Sequence, residues 1–521
     1  MPTVREATVC LMRELGLTTI FGNPGSTELP LFRDFPADFR YVLGLQESVV
    51  VGMADGYAQA TGNAAVVNLH SAAGVGHAMG NIFTAYRNKT PMVITAGQQA
   101  RSILPFEPFL FASEAAKLPE PYVKWAVEPA RGEDVPLAIA RAYYLAMQEP
   151  CGPTFVSIPV DDWDRPTEAI QARRVSRALH PDPALASDIA AMLDRSERPV
   201  FIVGFGVDRN DAWDDVVALA ERHQALVWAS PMSSRCSFPE RHPLFAGFLP
   251  PMREQIVKLL DGHDLILALG APVFTYHIEG FGPHVPPGAS LVQIIDVPDV
   301  AAWTPLGTAL VCNVRHGVAA ILERSSPPRR RAPRGRSAPP RVNADGGLTM
   351  AFLMQTLADE RPPDSIIVEE SPSSRKTMQA HLPIERPRSF FTCASGGLGH
   401  SMPAAVGIAL AKSATQRVIG LFGDGSAMYS IQSLWSAADL QLPLTIVIVN
   451  NGGYAALSEF TAHFNIKQLI GTKLPGLDFV GLAKSMGCAG ARVDRAQDLA
   501  GALREALGSP RPFVLDVAVA S

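Results

Sequence analysis

The sequence predicts an α/β protein built from three doubly wound parallel-sheet domains. Its 521 residues are too many for one hydrophobic core, and at roughly 150 residues per domain the chain would hold three. Short apolar segments alternate with helical patterns in three successive blocks, as expected of parallel strands covered by helices. Polar stretches without such patterns separate the blocks, as linkers would.

The first block, residues 1–165, opens with an amphipathic helical pattern and continues with five apolar strands. Helical patterns fill most of the gaps between these strands. The predicted strands are TTIFG (18–22), FRYVLGL (39–45), AAVVNLH (64–70), PMVITAG (91–97) and TFVSIP (154–159). An irregular polar stretch then leads to the second block.

The second and third blocks repeat this alternation over residues 182–324 and 345–521. The proline- and arginine-rich segment 325–344 between them is predicted to be a solvated linker rather than a basic binding patch. The predicted strands are 199–204, 225–230, 265–270 and 290–296, then 365–370, 416–425, 444–451 and 513–519. The first and third blocks look like two versions of one architecture, so ligand sites are expected at the carboxyl ends of their strands.

Composition excludes several classes of protein. The chain is 47% hydrophobic and 18% charged with a net charge of −5, which argues against a nucleic-acid partner. Six dispersed cysteines without a CxxC pair suggest neither a disulfide framework nor a zinc site. No run of 18 apolar residues and no targeting segment is present, so the sequence predicts a cytoplasmic protein without a membrane partner.

The segment 423–454, GDGSAMYSIQSLWSAADLQLPLTIVIVNNGGY, carries the sharpest chemical signal. Asp424 follows one apolar strand and Asn451 ends the next, so both oxygen ligands should reach one edge of the sheet. A carboxylate, an amide oxygen and a backbone carbonyl suit Mg²⁺ or Ca²⁺. Gly423, Gly425 and Ser426 begin a helix, where N–H groups and a hydroxyl can face a phosphate. A plain turn explains GDG alone, but not its pairing with NNGGY.

This pairing closely resembles the motif of thiamine diphosphate-dependent enzymes. In that family the aspartate, the asparagine and a backbone carbonyl two residues later hold the metal that binds the diphosphate. The resemblance implies thiamine diphosphate as the cofactor, with Mg²⁺ or Ca²⁺ bound by Asp424, Asn451 and the Gly453 carbonyl. Tyr454, the last residue of NNGGY, would also contact the cofactor.

Glu47, in LGLQESVVVGMADGYAQATG (43–62), stands where a strand runs into a helix among apolar neighbours. From these residues alone it is either an exposed first-turn residue that the helix dipole favours, or a buried acid tuned for chemistry. The family requires a glutamate beside the aminopyrimidine ring of the cofactor. The resemblance therefore assigns Glu47 to proton sharing with that ring.

Three further stretches resemble the branch of 2-oxo-acid decarboxylases that acts on aryl, benzoylformate-like substrates: FGNPGSTELP (21–30), NLHSAAG (68–74) and APVFTYH (271–277). The resemblance implies that Ser26 binds the substrate carboxylate, that His70 acts as an acid or base, and that His277 takes part in later proton transfers. His77, seven residues after His70, has no role in the family and stays unassigned.

The segment TCASGGLGHSMPAA (392–405) fits the same family. Gly396 would accept a hydrogen bond from the aminopyrimidine through its carbonyl, and Leu398 would hold the cofactor in a bent conformation. The substrate pocket would be apolar, although an ordinary core role is an open alternative for each of its residues. The candidate pocket residues are Phe109, Leu110, Ala456, Leu457 and Phe460.

Three positions depart from the pattern of this branch. Pro372 replaces an expected hydroxyl residue near the diphosphate and leaves that contact to Ser373. Gly453 replaces threonine, which is harmless if only its carbonyl binds metal. Thr392 stands where an aromatic ring is expected, so the substrate could be a 2-oxo acid other than an aryl one.

The resemblance implies nonoxidative decarboxylation of a small-molecule 2-oxo acid to an aldehyde and CO₂. It also implies a homo-oligomer, because the family binds each cofactor between the first block of one subunit and the third block of another. A dimer is then the minimum, and a tetramer is expected. Two alternatives are a carboligase similar to acetolactate synthase and a cofactor-binding homologue without turnover.

Overall fold

The computed structural model describes residues 1–461 and 464–519, so the last two residues of the predicted third domain lie outside the described part. Within these ranges eighteen strands form three sheets of six. The strands are β1 Thr19–Gly22, β2 Arg40–Leu43, β3 Ala65–Leu69, β4 Met92–Gln98, β5 Ala126–Val127, β6 Pro153–Pro159, β7 Pro199–Val203, β8 Leu226–Ala229, β9 Phe245–Phe248, β10 Leu265–Leu269, β11 Ser290–Ile295, β12 Thr308–Val311, β13 Ile366–Glu370, β14 Phe390–Thr392, β15 Val418–Gly423, β16 Leu444–Asn450, β17 Ala489–Val493 and β18 Phe513–Ala518.

The α-helices follow the strands along the chain and pack their apolar faces on the sheets. They are α1 Val4–Glu14, α2 Glu47–Thr61, α3 Ser71–Asn88, α4 Val135–Met147, α5 Pro183–Arg195, α6 Phe205–Arg209, α7 Trp213–His223, α8 Arg253–Leu259, α9 Pro298–Trp303, α10 Val314–Arg324, α11 Met350–Glu360, α12 Arg375–His381, α13 Ser401–Lys412, α14 Asp424–Tyr429, α15 Ser433–Asp439, α16 Ser458–Thr461, α17 Phe479–Ser485 and α18 Ala496–Gly508. None of these helices is long and apolar enough to cross a membrane.

The strand orders confirm the predicted fold class and the kinship of the first and third blocks. The first sheet has the order β2-β1-β3-β4-β6-β5, and the third repeats it as β14-β13-β15-β16-β18-β17. The second sheet is wound differently, as β12-β11-β10-β7-β8-β9. In both the first and the third sheet, the first strand in the chain lies between its two successors, which creates a switch point where ligands bind.

Internal contacts divide the chain into two compact units. One comprises residues 1–176, 343–375 and 395–521, and the other comprises 177–342 and 376–394. The first unit therefore contains the first sheet and most strands of the third. The domain limits drawn from the sequence at 165, 182, 324 and 345 remain a prediction.

Within the first unit, α2 packs closely against α13. A Cβ added at Gly56 would lie 2.0 Å from the Ala404 carbonyl oxygen, and one added at Gly407 would lie 1.9 Å from the Met53 carbonyl oxygen. Only glycine permits this approach of two helix backbones. The helix that begins at Glu47 is thereby fixed against the helix that follows Gly396 and Leu398.

The predicted linker differs from the solvated segment expected from its composition. Residues 325–343 have no regular secondary structure, but Arg330 donates to the backbone carbonyls of Leu193 and Ser196. The Arg336 N–H donates to the Phe245 carbonyl, and its guanidinium lies 4.9 Å from the centre of that ring. The linker is thus docked beside the edge strand β9, because its arginines find buried carbonyls and aromatic rings.

Candidate active site

The first sheet brings three of the predicted catalytic residues to one edge. Ser26 follows β1, Glu47 begins the helix after β2, and His70 is the residue after β3. Since β1 lies between β2 and β3 and all three run parallel, their carboxyl ends are neighbours at the switch point. Ser26 is exposed, and the residues on either side of it contact His70.

His70 is held by a buried carboxylate that the sequence analysis did not single out. Its Nδ1 atom lies 2.8 Å from Glu28 Oε2 and 3.2 Å from Thr27 Oγ1. A Cβ added at Gly25 would lie 2.1 Å from His70 Nδ1, so the ring rests directly on the loop after β1. The imidazole is therefore oriented by both packing and hydrogen bonding.

Glu47 is nearly buried at the first turn of α2, which agrees with the buried-acid interpretation. Its Oε2 atom lies 3.1 Å from His77 Nδ1 on α3, and a Cβ added at Gly74 would lie 3.4 Å from its Cγ atom. Among the described residues, Oε1 has no hydrogen-bond partner. The carboxylate is thus anchored through one oxygen, and the other is left for a ligand.

The third sheet places Asp424 and the 451–453 turn together, as predicted. Asp424 Oδ1 accepts the Gly425 N–H at 2.7 Å, and Oδ2 accepts the Gly453 N–H at 2.8 Å. Asn451 Oδ1 lies 3.3 Å from the same Gly453 nitrogen. The carboxylate and the amide oxygen therefore converge on one N–H group at adjacent strand ends.

These residues fit a divalent cation. Burial raises the pKa of the Asp424 carboxyl, although backbone N–H groups around it act in the opposite direction. The burial cost of the Asp424 charge is thus only partly offset by N–H groups. A buried carboxylate beside an amide oxygen is the kind of donor set that Mg²⁺ or Ca²⁺ prefers. In the described part of the chain, no cluster of three His, Cys, Asp or Glu side chains offers an alternative metal centre.

A closely packed glycine and two serine hydroxyls lie next to Asp424. A Cβ at Gly425 would lie 2.3 Å from the Tyr454 ring, so this glycine lets the ring close over the start of α14. A Cβ added at Gly423 would lie 3.7 Å from Ser371 Oγ and 3.7 Å from Ser426 Oγ. Ser371 thus brings a hydroxyl to this strand end, and the contact expected of Ser373 stays a prediction.

The loop that carries Gly396 and Leu398 is fixed by a buried acid. Glu370 accepts the N–H groups of Gly399 at 2.6 Å and of Ser401 at 2.7 Å. Burial raises the pKa of Glu370, and these donors act against that shift. Gly396 has a φ of +74° and Leu398 is half-buried, so the loop presents backbone rather than a bulky side chain at Gly396.

The predicted pocket residues lie at the surface of the single chain. Phe109 is 87% exposed, and Leu110 is half-buried with a φ of +66°. Ala456 and Leu457 belong to a 3₁₀ turn just after Tyr454, and Phe460 lies in α16. All five residues are apolar, and the last three follow the candidate metal residues in the chain.

The other two predicted positions lie in the second unit. His277 is exposed, and its backbone N–H donates to the Pro251 carbonyl at 3.0 Å. Thr392 is buried, and its N–H donates to the Ser234 carbonyl at 3.0 Å. Both contacts are within that unit.

Sequence reasoning missed two neighbours of the site, Glu28 and Ser371, and left a third, His77, unassigned. Glu28 carried a usable signal in the sequence. It is a carboxylate that stands two residues after Ser26 and just before the apolar residues Leu29 and Leu31. His77 and Ser371 carried weaker ones, since their contacts depend on how α3 and the end of β13 are placed in three dimensions.

Comparison with known proteins identifies the class of fold and site. The N-terminal TPP binding domain of thiamine pyrophosphate enzymes matches residues 2–114, the central domain matches 186–321, and the C-terminal TPP binding domain matches 373–517. The chain belongs to the thiamine pyrophosphate enzyme family. Its cofactor is thiamine diphosphate with the divalent metal typical of the family.

Individual relatives resemble the chain over its full length. A benzoylformate decarboxylase of Pseudomonas aeruginosa is 44% identical over 99% of both chains. The crystal structure of benzoylformate decarboxylase from Polynucleobacter necessarius has a TM-score of 0.97 and 40% identity, covering 100% of this chain and 99% of that one. A thiamine diphosphate-dependent 4-hydroxybenzoylformate decarboxylase of Rhodococcus jostii has a TM-score of 0.96 and 42% identity at the same coverage.

Proposed function

We propose that the chain decarboxylates benzoylformate or a closely similar aryl 2-oxo acid to an aldehyde and CO₂. The class of reaction, thiamine diphosphate-dependent decarboxylation of a 2-oxo acid by a carboxy-lyase, is supported by the family and by the full-length relatives. The single observation that carries the aryl substrate is the full-length identity of 44% to a benzoylformate decarboxylase. The apolar surface around Leu457 and Phe460 agrees with it.

When bound, thiamine diphosphate supplies the electron sink that decarboxylation needs. Asp424, Asn451 and the Gly453 carbonyl would hold its metal, with Gly425 and Ser426 beside the diphosphate. Glu47 would present its free Oε1 atom to the aminopyrimidine ring while His77 anchors Oε2.

The substrate would be handled by the residues at the ends of β1 and β3. The Ser26 hydroxyl is exposed and can donate to the substrate carboxylate. His70 holds or releases a proton at Nε2, because its Nδ1 atom is already engaged with Glu28 and Thr27. We also propose that His277 takes part in later proton transfers, as the family resemblance implies.

We also propose that the active form is at least a dimer, with a tetramer formed from two dimers. The exposed apolar side chains of the first unit support an interface between copies, since Phe106, Phe109 and Ile470 are more than 80% exposed in the single chain. Such an interface would cover these residues and enclose the cofactor.

Aldehyde release from benzoylformate, phenylpyruvate and pyruvate tests the proposal. With thiamine diphosphate and Mg²⁺ present, benzoylformate should give benzaldehyde with the highest kcat/KM of the three. Glu47→Gln should lower the rate by about 10²-fold or more, since it removes a proton-sharing group. Glu505→Gln, an exposed carboxylate on α18, is the matched control and should leave the rate unchanged.

Other products would point elsewhere. Cofactor binding with acyloin instead of aldehyde as the main product would indicate a carboligase. Cofactor binding with neither product from any of the three substrates would contradict decarboxylation and favour a homologue without turnover. A preference for pyruvate would overturn the aryl substrate and direct attention to Thr392.

A further inference from the structure

Glu28 is an almost fully buried carboxylate surrounded by hydrogen-bond donors. Its side chain is 1% exposed. Oε1 accepts the Gly97 N–H at 3.0 Å and the Thr27 hydroxyl at 2.6 Å. Oε2 accepts the Gly25 N–H at 2.8 Å and lies 2.8 Å from His70 Nδ1. Each oxygen thus receives one backbone N–H, which can only donate, and one further polar group.

This arrangement favours the ionised form of the carboxyl. The two backbone N–H groups, of Gly97 and Gly25, can only donate, and such hydrogen bonds are stronger to a carboxylate than to a neutral acid. With Glu28 ionised, the two other groups beside its oxygens act as donors. The imidazole nitrogen at 2.8 Å has to carry hydrogen.

Thr27 agrees with this assignment. Its hydroxyl gives its one hydrogen to Glu28 Oε1, so it can only accept from His70 Nδ1 at 3.2 Å. Both polar groups next to Nδ1 are acceptors. Nε2 has no partner among the described residues, and the side chain of His70 is 22% exposed.

We infer that Glu28 is a positioning residue that fixes His70 in the Nδ1–H tautomer, so that every proton His70 exchanges with substrate passes through Nε2. This inference rests on the proposed role of His70 and deepens it. Glu28 acts through His70 and does not itself touch the substrate. The same logic explains why Gly25 is needed, since a side chain there would push the ring away from the carboxylate.

The tautomer can be measured without substrate or cofactor. The full-length protein, labelled with ¹⁵N in its histidine rings, is studied by NMR at a pH where His70 is neutral. The His70 signals are assigned by their loss in His70→Gln. We expect a protonated-type signal at Nδ1 and an unprotonated-type signal at Nε2. The opposite pattern, or an even mixture of tautomers, would overturn the inference, whatever the enzyme turns over.

Glu28→Gln tests the cause. An amide must place its NH₂ group against a donor on one side, so the single tautomer should be lost and kcat/KM for the aldehyde-forming reaction should fall about 10²-fold. Asp264→Asn is the matched control: within the described part of the chain, this carboxylate accepts from Ser196 Oγ and from the N–H groups of Glu197 and Arg198, and no histidine is among its hydrogen-bond partners.

The control should reproduce any loss of stability without changing the tautomer or kcat/KM. A Glu28→Gln protein that keeps the pure Nδ1–H tautomer would contradict the inference. If that variant does not fold, the measurement on the wild-type protein still decides. A wild-type protein with the expected tautomer but no decarboxylation would instead count against the proposed function alone.

Discussion

At the scale of single residues, the site is built from acids whose neighbours determine what they can do. The place of Glu47 between an apolar strand and a helix left two interpretations open, and the family resemblance favoured the buried acid, with which its near burial agrees. Glu28 was not singled out and His77 was left unassigned, because their contacts depend on the three-dimensional fold. A sequence gives the order of polar residues along the chain, whereas the contact of Glu28 with His70 joins positions 42 residues apart.

His77 should affect cofactor binding through Glu47. His77→Leu removes the hydrogen bond at Glu47 Oε2, so the carboxylate is less firmly held for the cofactor. A hydrogen bond of this kind contributes about 1 kcal/mol, which corresponds to an affinity lower by about fivefold. Titration calorimetry of thiamine diphosphate into the apo protein with Mg²⁺ measures the change.

The matched variant is His77→Asn, which keeps a donor and should restore most of the affinity. A second control, His381→Leu, changes a half-buried histidine of the second unit and should leave binding unaffected. Equal affinities in His77→Leu and wild type would show that Glu47 needs no anchor at Oε2.

Asp424 should be essential for the cofactor to stabilise the fold. A ligand present at 100 times its dissociation constant raises the free energy of unfolding by about 2.7 kcal/mol. In Asp424→Asn the carboxylate that would neutralise the cation is gone, so thiamine diphosphate with Mg²⁺ should raise Tm in the wild-type protein only. Differential scanning calorimetry measures both proteins with and without the ligands.

Asp439→Asn, an exposed acid at the end of α15, controls for the loss of one negative charge and should show the full rise in Tm. A rise of the same size in Asp424→Asn would place the cation elsewhere.

At the scale of secondary structure elements, the sequence predicted thirteen strands and missed five. The missed strands are β5, β9, β12, β14 and β17, and each lies at the edge of its sheet. Central parallel strands are buried on both faces and therefore read as continuous apolar runs, such as VIGLFG and LTIVIVN. Edge strands are short and partly solvated, as in AGARV, so their sequences resemble loops.

The packing of α2 on α13 involves a buried contact between an acid and a histidine as well as close backbone approach. Asp55 on α2 and His400 before α13 are both at most 2% exposed, with Oδ2 3.1 Å from Nε2. Asp55 also accepts from Asn88 Nδ2 at 3.0 Å and Thr90 Oγ1 at 2.9 Å. Burial alone would raise the pKa of Asp55, but the attraction of His400 and these hydrogen bonds outweigh it and lower that pKa.

A lowered pKa makes the contribution of Asp55 to stability depend on pH. The carboxylate stabilises the fold fully above its unfolded-state pKa of about 3.9, and the contribution is lost as pH falls through the lower folded-state pKa. Asp55→Asn should cost about 2 kcal/mol near neutral pH, since an amide accepts through one atom only and leaves a buried donor, Asn88 Nδ2 or Thr90 Oγ1, without its acceptor. The difference from wild type should shrink at acid pH, as measured by urea unfolding at a series of pH values.

Asp38→Asn is the control for this pair. Asp38 forms an ion pair with Arg13, but its side chain is 49% exposed, so its loss should change stability far less than the loss of Asp55. If Asp55→Asn destabilised the protein by the same amount at every pH, the effect would come from packing and not from the charge.

At the scale of the whole molecule, the repeated strand order explains how the cofactor would be shared. The first sheet presents Glu47 and His70 after β2 and β3, and the third presents Asp424 and Asn451 after β15 and β16. Each half of the chain would then hold one part of the proposed binding site. This division stays a prediction, drawn from the strand-end motif in each half.

Mixing two inactive variants tests whether each cofactor lies between two chains. Glu47→Gln lacks the acid of the first block and Asp424→Asn lacks the metal ligand of the third. In a hybrid dimer built on the proposed plan, one site receives both intact residues and the other receives both defects. Half of randomly formed dimers are hybrids with one working site of two, so co-expression should restore about a quarter of wild-type activity. Activity no higher than that of the separate variants would mean that each site is formed within a single chain, and the proposed dimer would then have no catalytic purpose.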